Sequence, residues 1–200
     1  MANELEVAVK DAEMKIRCAR TQLLVSDDPN MCFFGELMCF PWYLAPVGTA
    51  CTDGRVIAFD PTYVTKLTKA QVLDLFLEET LHIALLHCHR MNGRNPSVWN
   101  ETCDVAIWEI LMGVGRVPPK GEKLAYIGSD ARYNDLPRNS TAEVYYNLLQ
   151  KKNQSQQNGS GQGQQGQQGQ KCQGQGQGSK PGFQPGTGEY VSGGGVAEYA

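Results

Sequence analysis

The chain predicts an α+β fold: a small, mainly antiparallel sheet beside one long motif-bearing helix and several packing helices, followed by a disordered C-terminal tail. Three observations lead there. Apolar residues recur at helical spacing in the first twenty-five positions and again from residue 69. Between them, residues 33–60 are rich in aromatic and β-branched side chains and are broken by Pro41, Pro46, Gly48 and Gly54. Past residue 150, Gln and Gly displace nearly all large apolar side chains. The expected organisation is a folded domain over 1–150 and a Gln/Gly-rich disordered tail or linker over 151–200, where burial is too small to offset the cost of ordering the backbone.

The first helix, over residues 3–25, carries Leu5, Val9, Ala12, Ile16, Ala19, Leu23 and Leu24 on one stripe, and Ser26-Asp27-Asp28-Pro29-Asn30 stops it. Strands are expected near 42–47, 49–52 and 55–59. Asp53-Gly54 between Thr49-Ala50-Cys51 and Val56-Ile57-Ala58-Phe59 is a hairpin signal, because Asp-Gly suits the positive φ of the tight turns that match strand twist. Asp60-Pro61 reads as an N-cap followed by proline at the first helical position, opening a short helix to about Lys66. Thr68 and Gln71 form a capping box for a long helix over 69–91, which Gly93 and Pro96 end. Pro96 or Ser97 opens the next helix, through Trp99, Ala106, Ile107, Ile110 and Leu111, stopped by Gly113, Gly115 and Pro118-Pro119. Asn139-Ser140-Thr141-Ala142-Glu143 caps a last helix to about Gln150.

Composition excludes several functions. A net charge of −3 with no Lys/Arg block lacks the basic footprint of a nucleic-acid binder. No run approaches the eighteen or so apolar residues that span a bilayer, and the first residues lack a basic segment followed by an apolar one. The expectation is a soluble, cytoplasmic protein with neither nucleic-acid nor membrane partners. Its seven cysteines are scattered and contain no C-x-x-C pair, so reduced thiols are expected rather than a disulfide framework.

The chemistry concentrates in Glu78-Glu79-Thr80-Leu81-His82, which has the spacing of the H-E-x-x-H metal motif with Glu78 in place of the first histidine. On an ideal helix Glu78 and His82 lie about 40° apart around the axis and about 6 Å along it, so both can reach one ion. Glu79 is rotated about 100° from Glu78, toward the place of an attacking water, where a general base belongs. The third ligand is open. His87 lies about 140° from His82 on an unbroken helix and joins only if the helix ends or bends before it; no glycine intervenes. Asp104, on the next helix among Val105, Ala106 and Ile107, is a carboxylate whose burial is costly without a partner. In a purely structural reading His82 is a core histidine and Asp104 pairs with Arg90 or Arg94. Cys51, Cys88 and Cys103 read as small hydrophobes, and Trp99 and Trp108 as core.

The order of features from about Lys15 to Leu149 resembles the bacterial and phage putative metallopeptidase domain that often precedes a von Willebrand A-like domain. The resemblance rests on Ala19-Arg20-Thr21, Phe33-Phe34-Gly35, Thr49-Ala50-Cys51-Thr52-Asp53-Gly54 and Phe59-Asp60-Pro61. It continues through Glu79, His82, His87 and Arg90 as E-x-x-H-x-x-x-x-H-x-x-R, then Trp99-Asn100 with Asp104, and Ser140-Thr141-Ala142-Glu143-Val144-Tyr145. It implies a zincin-like fold with a sheet edge beside the motif helix, able to pair with an extended peptide. It implies Glu79 as general base, His82 as a metal ligand, and His87 and Asp104 at positions where the family also has His and Asp. Glu78 departs from it, as does Ile107-Trp108 where the family tends to show Ile-Asn. A Glu78/His82/His87 set has a composition suited to zinc; a Glu78/His82/Asp104 set favours harder ions such as Mn²⁺. The resemblance further implies a peptide or protein substrate and a VWA-like or AAA+ ATPase partner, in a bacterium or a phage-infected cell. The rival expectation is a catalytically inactive interaction module tethered by the Gln/Gly-rich linker.

Overall fold

The structure, a computed structural model, describes residues 2–118 and 124–159, which fall into two compact units. The first contains residues through Gly93 together with the segment from Leu111; the second contains Arg94–Ile110 and the residues from 124 onward.

In the first unit, α1 (Ala2–Leu24) buries Val9, Ala12, Ile16, Ala19 and Leu23, a three-and-four spacing that puts one stripe against α2 (Pro29–Leu37), α3 (Pro61–Val64) and α4 (Lys69–Ala84). α2 was not anticipated. Asp28-Pro29, read only as a stop, also starts a helix: the Asp28 carboxylate accepts the Asn30 N–H at 2.9 Å and proline occupies the first turn. A Cβ on Gly35 would lie 3.1 Å from the backbone of Leu23 and Leu24, so glycine lets α2 approach α1 this closely.

The sheet is mixed, not mainly antiparallel. Strands β1 (Trp42–Leu44), β2 (Ala50–Thr52) and β3 (Ile57–Phe59) lie in the order β1-β3-β2, β2 antiparallel to β3 across the Asp53-Gly54 turn and β1 parallel to β3 with Trp42 opposite Ile57. About a dozen residues link parallel partners at minimum, and here β2 and its loops supply that crossover. β2 is an edge strand and packs on α4.

α4 is buried continuously from Val72 to Ile83, with the Phe76 ring edge-on to Phe59 at 5.3 Å. Its start is the expected capping box: Gln71 N–H donates to Thr68 Oγ1 and Thr68 N–H to Gln71 Oε1. Its end is not at 91. α4 stops at Ala84, and after a break a short helix α5 (His87–Arg90) follows.

The second unit takes α6 (Pro96–Gly113) as far as Ile110, and there it buries Trp99, Cys103, Val105, Ala106, Ile107 and Trp108. The Arg94 guanidinium sits 4.8 Å from the Trp99 ring and 5.6 Å from that of Tyr146, and Arg138 donates to Glu109 at 2.7 Å. α7 (Ala142–Gly159) runs nine residues past the expected end at Gln150, so residues 151–159 of the tail expected over 151–200 are helical; the rest of that tail lies outside the described residues. The described cysteines are all free thiols, and no described helix is long and apolar enough to cross a membrane.

Candidate metal centre

A helix buried around most of its circumference is ordinarily apolar throughout. α4 is not: Asp74, Glu78, Glu79, Thr80 and His82 are all buried in it, Glu78 and Glu79 at 3 % exposure. Asp74 is accounted for by Arg116, whose guanidinium donates to Asp74 Oδ1 at 2.6 Å. Burial raises the Asp74 pKa above its ordinary value and Arg116 opposes that rise.

The break after α4 decides what the remaining groups can do. Leu85 closes the last turns, its N–H bonding to Leu81 O at 2.9 Å, and Leu86 then takes φ 56°, ψ 33°, the left-handed conformation. For a non-glycine residue this costs about 1–2 kcal/mol. The reversal cancels the 140° offset of an unbroken helix and turns His87 back toward His82. Their Nδ1 atoms face each other at 3.4 Å with the rings nearly perpendicular, and both residues are buried. Glu78 and His82 likewise offer ligand atoms within 4.8 Å of each other.

The imidazole pair has the spacing of two ligands on one metal ion. A tetrahedral zinc with Zn–N bonds of about 2.0–2.1 Å holds two imidazole nitrogens about 3.3–3.4 Å apart. An N–H···N hydrogen bond between the rings would be long at that distance. Glu78, one turn back along α4 and near His82, would complete the His₂Glu composition of zinc hydrolases.

Glu79 lies on the neighbouring face. Its negative charge reaches Cys88, whose thiol donates to Thr52 O of β2 at 3.7 Å. Burial, then Glu79, then Asp53 push the Cys88 pKa up, so this sulfur stays a thiol and is a poor nucleophile.

Asp104 belongs to the second unit, where it is buried on α6 and accepts the Asn100 side-chain amide at 3.2 Å. Glu101 of the same helix is engaged by Tyr133 Oη and by Arg132, each at 3.3 Å, and burial together with Glu101 raises the Tyr133 pKa. His89 is exposed, and a Cβ on Gly54 would lie 3.0 Å from its ring.

Sequence reasoning missed three parts of this neighbourhood: the left-handed turn at Leu86, the Arg90 side chain that donates to Leu85 O at 2.8 Å, and the Asp74–Arg116 pair. The signal for the turn was the E-x-x-H-x-x-x-x-H spacing itself. It makes no common face on a continuous helix.

A comparison with protein families finds that residues 14–198 match the family described as "Putative metallopeptidase domain". Neither curated proteins nor solved structures gave a match.

Proposed function

Because the chain belongs to the putative metallopeptidase domain family, we propose that it is a metal-dependent peptidase of zincin-like design, with Glu78, His82 and His87 as ligands and Glu79 as general base. The observation that carries the reading is the pair of buried imidazoles presenting Nδ1 atoms 3.4 Å apart. Zinc is the metal this set suits best. Two carboxylates, Glu78 with Asp104, would neutralise a divalent charge and let Mn²⁺ compete. When bound, the ion supplies Lewis acidity that polarises a scissile carbonyl and makes water more acidic.

The chain's own residues supply the rest. Glu79 accepts a proton from the attacking water and returns it to the leaving amine. β2, an edge strand packed on α4, offers backbone groups with which an extended peptide could pair beside the motif helix. The VWA-like or AAA+ partner stays part of the proposal through family analogy alone.

The test begins with metal content after a weak-chelator wash. Less than about a tenth of an equivalent, with no rise on Zn²⁺ or Mn²⁺ loading, defeats the proposal. Glu79→Gln is expected to keep metal near wild-type level and to abolish peptide hydrolysis, measured on a quenched peptide library; retained hydrolysis removes Glu79 as base. A wild type that holds metal and cleaves nothing is the binding module instead. Asp104→Asn tests the fourth candidate: a lost metal equivalent adds Asp104 to the set, and unchanged affinity leaves Glu78, His82 and His87.

A further inference from the structure

We infer that Arg90 is a positioning residue for His87: its guanidinium holds the left-handed turn at Leu86 that brings the His87 imidazole round to His82. The inference rests on the proposed role of His87 as a ligand.

The turn needs something to hold it. Leu86 is not glycine, and its side chain is 53 % exposed, so burial of that side chain does little to secure its φ of 56°. A residue in a sparsely populated conformation persists when its surroundings over-determine it. Arg90 ties down both carbonyls that flank the reversal. Its Nη1 donates to Leu85 O at 2.8 Å and its backbone N–H to Leu86 O at 2.9 Å, while the His89 N–H also reaches Leu86 O at 3.0 Å. Leu85 O belongs to the end of α4, where carbonyls lack helical partners and the helix dipole favours a cation. The side chain thus caps α4 at the reversal, and the backbone N–H groups of His89 and Arg90 close the turn that starts α5.

A second brace keeps α5 from depending on Arg90 alone. Gly54, at φ +91°, brings the β2–β3 turn so close that an added Cβ would lie 3.2 Å from Cys88 Cβ and 3.0 Å from the His89 ring. With that brace intact, removal of the guanidinium should loosen the presentation of His87 while the unit stays folded.

The experiment compares Zn²⁺ affinity by competition with a chromogenic chelator, the visible Co²⁺ absorption spectrum and the apo melting temperature. The variants are His87→Ala, Arg90→Met, Leu86→Gly and the Arg90→Met/Leu86→Gly pair. Arg90→Met should lose about 10–100-fold in Zn²⁺ affinity, as groups that orient a ligand typically do, and its Co²⁺ spectrum should move to that of His87→Ala. Leu86→Gly alone should bind as wild type. In the double variant affinity should recover, because glycine adopts the left-handed turn unaided. A lower apo melting temperature in Arg90→Met with wild-type affinity and spectrum overturns the inference, as does failure of the double variant to recover. Wild-type affinity in His87→Ala overturns the ligand reading and this inference with it; loss there without loss in Arg90→Met overturns this inference alone. Should Arg90→Met not fold, Arg90→Gln takes its place in both the single and the double variant, and the same outcomes support or overturn the inference.

Discussion

Glu78 is the residue at which this chain leaves the usual motif, and its chemistry sets what the centre can bind. A carboxylate is a harder donor than imidazole and cancels one unit of a bound ion's charge, so a zinc ion taken by the proposed set would be held by charge as much as by ligand softness. Glu78→His restores the usual ligand and should raise Zn²⁺ affinity while lowering the relative affinity for Mn²⁺, read by chelator competition for each ion. An unchanged Zn²⁺/Mn²⁺ ratio would mean that the side chain at 78 does not touch the metal. The adjacency of Glu78, Glu79 and His82 was legible because an i, i+4 pair on a helix shares a face whatever else the chain does. Gly54 was legible only by half. Its turn chemistry was clear from Asp53-Gly54, whereas the contact of that turn with Cys88 and His89 joins residues more than thirty positions apart.

Elements whose ends are set by local chemistry came out where expected. The Thr68–Gln71 box opens α4, and Asp60 opens α3 by accepting the Thr62 and Tyr63 N–H groups at 2.9 and 3.2 Å. Asp60 also accepts the Gly48 N–H at 2.9 Å, pinning the loop between β1 and β2. Burial alone would raise its pKa; the Thr62 hydroxyl and the Gly48, Tyr63 and Thr62 amides together pull it below the ordinary 3.8. A carboxyl lowered on folding stabilises the fold above its unfolded value, and that contribution disappears as pH falls through the folded one. Asp60→Ala should therefore cost about 1–2 kcal/mol in urea titrations at neutral pH. Below about pH 3.8 the gap to wild type should close; a gap of equal size at pH 3 and pH 7 would assign the loss to packing. By contrast the end of α4 was misplaced by several residues. Nothing in Leu85-Leu86-His87 breaks a helix by propensity, so only partners elsewhere in the fold could impose the turn.

Across the first unit the same division holds at longer range. Arg116 reaches Asp74 over forty-two positions, and Asp74 lies on α4, which is buried continuously from Val72 to Ile83. Asp74 has a folded pKa above its ordinary value, so the neutral acid is the form the fold prefers and ionisation works against stability as pH rises. Arg116→Met removes the guanidinium that offsets this. It should destabilise by on the order of 3 kcal/mol at pH 7, as loss of one partner of a buried pair does, and by distinctly less near pH 4.5. A loss that grows in acid would show that Arg116 acts elsewhere. The parallel pairing of β1 with β3 is likewise a product of the whole. Three-residue strands carry too little pattern to choose a neighbour, and β3 took the centre because its Ile57, Ala58 and Phe59 are all buried.

By itself the sequence determined the helices with strong caps or periodic faces, the hairpin turn and the cluster of acidic and histidine residues on one helix, because each depends on groups within a few positions of one another. Tertiary structure alone decided the mixed sheet order, the Arg116 partner of Asp74 and the left-handed break at Leu86. The last of these converts two histidines on different helical faces into a facing pair 3.4 Å apart. A backbone conformation that costs a residue free energy cannot be read from that residue. It exists because other groups, Arg90 first among them, bond to the carbonyls around it.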